Sequence, residues 1–163
     1  MPLYTYLLLD TSASMSGAPL EALKQALHLL CGTFITRSKQ AVQMGVITYE
    51  STAKEIAPLA DVQEFEIPKL EAAGSSGLGG ACRLLSAVMP AQQPMLVYLF
   101  TDGDPTDDWE SAIAALKPRV QQIIGVVCGP TASSTILDPL LDQVFSVREL
   151  TPDLLFETFR QYT

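Results

Sequence analysis

The sequence predicts an α/β fold, with a mostly parallel central sheet, one antiparallel edge strand and helices on both faces. Short apolar runs that end at polar loops alternate with segments whose apolar residues recur every three or four positions. This alternation is typical of βαβ units, in which a helix connects two parallel strands. The chain has 163 residues, of which 48% are hydrophobic. We therefore expect one domain over residues 1–163 with its own core.

The first half of the chain predicts two parallel strands and one antiparallel strand. Tyr4–Leu9 is predicted as a buried strand and Ala41–Tyr49 as its neighbour. Between them, Pro19 is well placed to open a helix, because proline is tolerated in a first helical turn. Thr52–Ile56 follows the second strand too closely for a crossover connection, so it is expected to run antiparallel. The apolar face of the helix is predicted to contain Leu20, Leu23, Leu27, Leu30 and Phe34.

The second half continues the alternation of helices and strands, after a segment at Ala57–Ala73 that shows no clear pattern. A glycine-serine loop, Gly74–Gly80, leads into the next helix. Strands are predicted at Met95–Phe100, Val120–Cys128 and Val144–Val147. Helices are predicted at Leu78–Val88, at Trp109–Leu116 with Asp107 or Asp108 as N-cap, at Ser133–Leu141, and after Thr151 as the N-cap of a terminal helix.

Charge and composition narrow the possible partners. Lys and Arg number 10 and Asp and Glu number 18, a net charge of −8. This balance argues against nucleic acid or an anionic membrane, since both attract basic surfaces. No apolar run approaches the roughly 20 residues of a membrane span, and no leader sequence is expected. The three cysteines lack zinc-site spacing and are expected to be small buried hydrophobes, which favours a cytoplasmic location.

Three segments at the ends of predicted strands are rich in oxygen donors. Asp10, Ser12 and Ser14 follow the first strand at alternate positions, and Asp102 follows the strand that ends at Phe100. The glycine-serine loop offers Ser75 and Ser76. Ligands of parallel sheets bind outside the carboxyl ends of the strands, so these side chains are expected to converge.

The donor set predicts a hard divalent cation. Carboxylates and hydroxyls without nitrogen or sulfur suit Mg²⁺ or Mn²⁺, and Ca²⁺ is also compatible, whereas Zn²⁺ is a poor match. Two carboxylates and three hydroxyls, completed by water, can fill most of an octahedron. Because the two carboxylates balance only the charge of the metal, one face stays able to take an anionic oxygen from outside.

These motifs resemble the von Willebrand factor A domain family. The resemblance is carried by Asp10-Thr-Ser-Ala-Ser after the first strand, the hydroxyl in the Gly-rich middle loop and Thr101-Asp-Gly after the fourth strand. Within the family, Tyr6-Leu-Leu-Leu-Asp-Thr-Ser-Ala-Ser-Met-Ser-Gly and Thr101-Asp-Gly-Asp-Pro-Thr-Asp are most similar to the bacterial tellurium-resistance TerY type. The resemblance implies a Rossmann-like three-layer fold over essentially the whole chain.

The same resemblance implies a metal-ion-dependent adhesion site. It makes Asp10, Ser12 and Ser14 the ligands of the first loop and Asp102 the carboxylate of the third loop. In the middle loop the family usually has threonine, two residues before a hydrophobic residue and three before glycine. Counting from Leu78 and Gly79 puts Ser76 at that position. Serine keeps the hydroxyl but lacks the methyl that stiffens χ1.

The expected function is therefore a binding module rather than an enzyme. Mg²⁺ in the loops would be ligated by a Glu or Asp of a partner protein. The TerY-type resemblance implies a bacterial stress-response setting, resembling tellurite resistance, in which a kinase or phosphatase of the same system is a possible partner.

Two alternatives stay open from the residues alone. In the first, Asp10 is the nucleophile of a Mg²⁺-dependent phosphoryl-transfer enzyme. Phosphatases with that layout resemble a DxDxT pattern, whereas position 12 here is serine. In the second, the chain is a scaffold whose site no longer binds a metal. This alternative stays open because position 76 is serine, where the family usually has threonine.

Overall fold

A computed structural model describes residues 2–90, 93–102, 105–128 and 139–163. The strands are β1 (Leu3–Asp10), β2 (Val42–Tyr49), β3 (Ala53–Asp61), β4 (Met95–Thr101), β5 (Gln122–Val127) and β6 (Gln143–Ser146). The helices are α1 (Ala18–Arg37), α2 (Leu78–Val88), α3 (Trp109–Leu116) and α4 (Pro152–Phe159). No helix in these ranges is both long and apolar enough to cross a bilayer.

The six strands form one sheet in the order β3-β2-β1-β4-β5-β6. All neighbouring strands run parallel except β2 and β3, which are antiparallel. The predicted mixed sheet with one antiparallel edge strand is thereby confirmed. The chain moves outward from β1 to β2 on one side and later from β4 to β5 on the other. The strand order thus reverses between β1 and β4, and a crevice at such a point is where open α/β sheets bind ligands.

Helices cover both faces of the sheet, as predicted. One core layer lies between the sheet and helices α1 and α4, and the second lies between the sheet and helices α2 and α3. Strand β4 is buried at every residue, which explains why its sequence is an uninterrupted apolar run. The predicted apolar face of α1 packs into the first layer. Trp109 begins α3 and is buried in the second layer.

Several boundaries differ from the sequence predictions. Strand β3 extends to Asp61, well beyond the predicted Thr52–Ile56. The prediction ended too early because register shifts against β2 interrupt the alternating pattern that marks a strand. The loop after β1 contains a short 3₁₀ helix, Ala13–Met15. Of the helix predicted at Ser133–Leu141, residues 133–138 lie outside the described residues, and 139–141 form a turn and a bend.

The cysteines agree with the expectation of small apolar side chains. Cys82 and Cys128 are buried and Cys31 is half-buried, and all three are free thiols. Burial raises the pKa of Cys31 to about 11 and that of Cys82 and Cys128 to about 12. The thiols therefore stay protonated at neutral pH, which is the inert form.

Candidate metal centre

Asp10 is the centre of a hydrogen-bond cluster at the carboxyl end of β1. It is the last residue of the strand and is completely buried. Its Oδ1 accepts the backbone N–H of Ser12 at 2.9 Å. Its Oδ2 accepts the hydroxyls of Thr101 at 2.9 Å and Ser76 at 3.1 Å. One carboxylate thereby joins the ends of β1 and β4 and the loop before α2.

The first loop presents its two serines to the same region. Ser12 is buried and Ser14 is exposed, and their hydroxyl oxygens lie 3.1 Å apart. The bond from Ser12 N–H to the Asp10 carboxylate closes a tight turn of the kind that Asp favours. The 3₁₀ turn that follows brings Ser14 back beside Ser12. The alternate spacing of the motif therefore gathers three side-chain oxygens, as the sequence predicted.

The middle loop is held in place by backbone contacts that leave the Ser76 hydroxyl directed at Asp10. The N–H of Ser76 donates to the Thr106 hydroxyl at 3.1 Å, and the carbonyl of Ser76 accepts the Thr106 N–H at 2.8 Å. Next to it, Gly77 donates to the carbonyl of Glu50 at 2.7 Å. A Cβ on Gly77 would lie 2.7 Å from that carbonyl, so the close approach requires glycine. The Gly-rich composition of the loop is thus explained by packing between loops.

The third loop adds the second carboxylate. Asp102 directly follows β4 and is half-buried. Burial raises the pKa of Asp10, the hydrogen bonds from Ser12 oppose that shift, and the negative charge of Asp102 raises the pKa further. Among the described residues, no cationic nitrogen lies within ion-pair distance of the Asp10 carboxylate. The two carboxylates therefore repel each other in a setting that water screens poorly.

The donor chemistry fits a hard divalent cation. A cation of charge +2 would offset both the desolvation of Asp10 and its repulsion by Asp102, and oxygen ligands are what Mg²⁺, Mn²⁺ and Ca²⁺ prefer. The described residues contain no cluster of three or more His, Cys, Asp or Glu side chains suited to a metal. The described parts of the chain therefore show no soft or nitrogen-rich metal site. The set around Asp10 is of another kind, because it combines only two carboxylates with several hydroxyls.

The structure brings together four of the five predicted ligands through hydrogen bonds. Asp10, Ser12, Ser14 and Ser76 form one connected cluster, and Asp102 acts on the pKa of Asp10 from the neighbouring strand end. Ser75, the other serine of the middle loop, is exposed and bonds instead to Ser51, with their Oγ atoms 3.2 Å apart.

Sequence reasoning missed residues that hold the predicted ligands in place through hydrogen bonds. Thr101 donates to Asp10, and Thr106 fixes Ser76. Asp107 was predicted as a possible N-cap of α3, but its carboxylate instead accepts the N–H groups of Gly79 and Gly80 in the first turn of α2. Asp108 occupies the N-cap position of α3 and makes no capping bond. Only Thr101 had a sequence signal, because it belongs to the Thr-Asp-Gly motif.

Many solved structures share the fold of this chain at low sequence identity. Proximal thread matrix protein 1 from the mussel byssus is 18% identical with a TM-score of 0.72, over 97% of this chain and 47% of that one. A structure of the same mussel protein with a zinc-occupied metal-ion-dependent adhesion site is 16% identical with a TM-score of 0.74, over 99% and 46% of the two chains. The present chain thus spans about half of the mussel protein.

A second neighbour has nearly the same length as this chain. The conserved hypothetical protein BatB from Bacteroides thetaiotaomicron is 15% identical with a TM-score of 0.68, over 98% of this chain and 97% of that one. At these identities the likenesses show the fold. No curated protein is significantly similar in sequence. The finer resemblance to the tellurium-resistance type is not shown by these comparisons and stays a prediction.

The amino-acid sequence identifies the family to which the chain belongs. A model of the von Willebrand factor type A domain matches residues 5–104, a stretch that runs from β1 through the first, middle and third loops. It contains all five predicted ligands, and the strand order and the position of the cluster agree with it. The chain belongs to the von Willebrand factor type A domain family.

Proposed function

We propose that this domain is a metal-dependent protein-interaction module. A divalent cation, with Mg²⁺ as first choice and Mn²⁺ or Ca²⁺ as alternatives, would be held by Asp10, Ser12, Ser14, Ser76 and Asp102. The observation that carries the proposal is the buried Asp10 carboxylate, which has a raised pKa and is surrounded by serine and threonine hydroxyls. Domains of this family are generally interaction modules rather than enzymes, which supports the same conclusion.

The partner would supply a Glu or Asp carboxylate. Two carboxylates of the domain balance the charge of a divalent cation, so a coordinated carboxylate from outside is favoured by the positive centre. Binding of the cation and of the partner would be coupled, since each creates a ligand position for the other. The net charge of −8 makes this coupling important, because without the cation the domain repels an acidic partner.

The cellular setting is proposed from the sequence motifs alone. The similarity of the first and third loops to the tellurium-resistance TerY type favours a bacterial stress-response system and a cytoplasmic location. A kinase or phosphatase of that system is the proposed class of partner. The site offers hydroxyls and carboxylates rather than soft ligands, so we propose that it binds the divalent cation and not tellurium.

Titration calorimetry with Mg²⁺ tests the metal site. Wild-type protein should bind one Mg²⁺ per chain, and Asp10→Asn and Asp102→Asn should each weaken binding by at least tenfold, because each removes a charge–metal contact of more than about 1.4 kcal/mol. Asp108→Asn is the matched control, since Asp108 is exposed and makes no capping bond. Unchanged Mg²⁺ binding in both Asp10→Asn and Asp102→Asn would show that the site is assigned wrongly.

Affinity capture tests the coupling. A partner should be retained by wild-type protein in Mg²⁺ and released by a chelator, whereas Asp102→Asn should not retain it under either condition. A partner that stays bound in the chelator would contradict a bridge through the metal.

A further inference from the structure

Tyr49 carries an unusual hydroxyl beside the candidate metal centre. Tyr49 is the last residue of β2, is aligned with Asp10 of β1, and its side chain is completely buried. Within the described ranges, its Oη is the one buried side-chain nitrogen or oxygen without a hydrogen-bond partner. A buried hydroxyl left without a partner costs about 1–3 kcal/mol, so such atoms are rare and call for an explanation.

The surroundings of this hydroxyl connect it to the centre. Burial raises the pKa of this hydroxyl, the negative charges of Asp10 and Asp102 raise it further, and the nearby Thr101 hydroxyl lowers it. The Tyr49 ring packs in the core layer that α2 and α3 cover. The backbone carbonyl of Tyr49 accepts both the N–H and the hydroxyl of Thr11, at 2.9 and 3.2 Å. The first ligand loop is therefore anchored on the same residue.

The hydrogen bonds of Asp10 explain why Tyr49 has no acceptor there. Oδ2 of Asp10 already accepts two hydroxyls, those of Thr101 and Ser76. A carboxylate oxygen has about two acceptor positions, so a third donor is excluded. Ser76 is also a proposed metal ligand, and a cation that draws its hydroxyl away from Asp10 frees one of these positions.

We infer that Tyr49 is a positioning residue of the metal centre, whose hydroxyl donates a hydrogen bond to an oxygen of the occupied site. The inference rests on the proposed function, because it requires a cation among the loops. It gives the unpartnered hydroxyl a role that appears only when the metal is bound. The same group then destabilises the metal-free protein and stabilises the metal complex.

The substitution Tyr49→Phe separates these two effects. It removes the hydroxyl and keeps the ring, so the core stays filled. Measured by calorimetry, the affinity for Mg²⁺ should fall roughly five- to tenfold, the size expected for one hydrogen bond. In a chelator, the melting temperature should equal or exceed that of wild type, because an unpartnered buried hydroxyl is lost.

Tyr98→Phe is the matched control. Tyr98 is also completely buried, but it packs in the other core layer and its hydroxyl lies 2.6 Å from that of Thr158. The Thr158 hydroxyl donates to Leu155, so Tyr98 is the donor of the pair. Tyr98→Phe should lower the melting temperature with and without Mg²⁺ and leave Mg²⁺ affinity unchanged.

The outcomes distinguish this inference from the proposed function. If wild type binds Mg²⁺ and Tyr49→Phe binds it equally well, the role of Tyr49 is wrong and the proposed function stands. The role is also wrong if Tyr49→Phe lowers the melting temperature in chelator as much as Tyr98→Phe does, because the hydroxyl then has a structural partner. If wild type itself binds no divalent cation, both proposals fail.

Discussion

At the scale of single residues, the sheet contains a contact that depends on the absence of a side chain. Gly45 of β2 is aligned with Tyr6 of β1, and the Tyr6 ring lies over it. This path lets the Tyr6 hydroxyl reach Glu55 on β3 and donate to its carboxylate at 2.6 Å. Burial raises the pKa of Tyr6, and the bond to Glu55 raises it further, so the hydroxyl remains a donor at neutral pH. Three strands are thus linked by one side chain.

The substitution Gly45→Ala should lower the free energy of unfolding by about 1–3 kcal/mol, the usual cost of overpacking a core. A Cβ at position 45 would overlap the Tyr6 ring, which cannot move without losing Glu55. Urea unfolding measures the effect. The control is Gly32→Ala in α1, because a Cβ at position 32 meets no atom within 4 Å. This substitution should stabilise the helix by roughly 0.5–1 kcal/mol. Equal stability of Gly45→Ala and wild type would contradict the packing described.

At the scale of elements, helix α2 takes its N-terminal cap from another part of the chain. Its N-cap residue is Gly77, which has no side chain to accept a hydrogen bond. The carboxylate of Asp107 performs this function by accepting the N–H groups of Gly79 at 2.9 Å and Gly80 at 3.1 Å. A negative charge at this end also interacts favourably with the helix dipole. The middle and third loops of the candidate metal centre are therefore fixed to each other by the start of α2.

Replacing Asp107 by alanine should lower the free energy of unfolding by about 1–2 kcal/mol, as for loss of an N-cap. Replacing its neighbour Asp108 should have almost no effect, because Asp108 is exposed and its side chain makes no capping bond. Thermal or urea unfolding of the two variants gives the comparison. If Asp108→Ala were the more damaging change, the assignment of the cap would be wrong.

The candidate site and its supporting contacts differ in how far the sequence predicts them. The placement of Asp10, Ser12, Ser14 and Asp102 at one edge of the sheet was predictable, because each lies at or shortly after the end of a strand that its apolar pattern defines. The role of Asp107 was not, because its bonds to α2 span 28 and 27 residues and carry no local spacing. The end of β3 was missed for a related reason. This edge strand is only half-buried and shifts register against β2, so no period-two pattern marks it.

At the scale of the whole molecule, the buried thiols should lower the free energy of unfolding at alkaline pH. The thiol of an unfolded chain has a pKa of about 8.5. Below that pH, both states keep the proton and the free energy of unfolding is undiminished. Above it, the unfolded chain releases protons that the fold retains, since the pKa of Cys82 and of Cys128 is about 12. Stability should therefore fall as pH rises, by about 2 kcal/mol per buried thiol at pH 10.

Urea unfolding at pH 8 and pH 10 measures this loss. Because Tyr and Lys side chains titrate in the same range, the informative quantity is the difference between wild type and Cys82→Ala. The variant should lose about 2 kcal/mol less than wild type between the two pH values. An identical loss in both proteins would show that the Cys82 thiol does not contribute.

The bond from Thr101 to Asp10 joins residues 91 positions apart, one on β1 and the other on β4. During synthesis, Asp10 leaves the ribosome long before its partner on β4 exists. Pairing these strands requires closure of a long loop, which is a slow kind of step in folding. The oxygen cluster is therefore a property of the assembled sheet, and the segment containing β1 alone cannot form it. Any ligand of this centre acts on a chain whose central strands have already met.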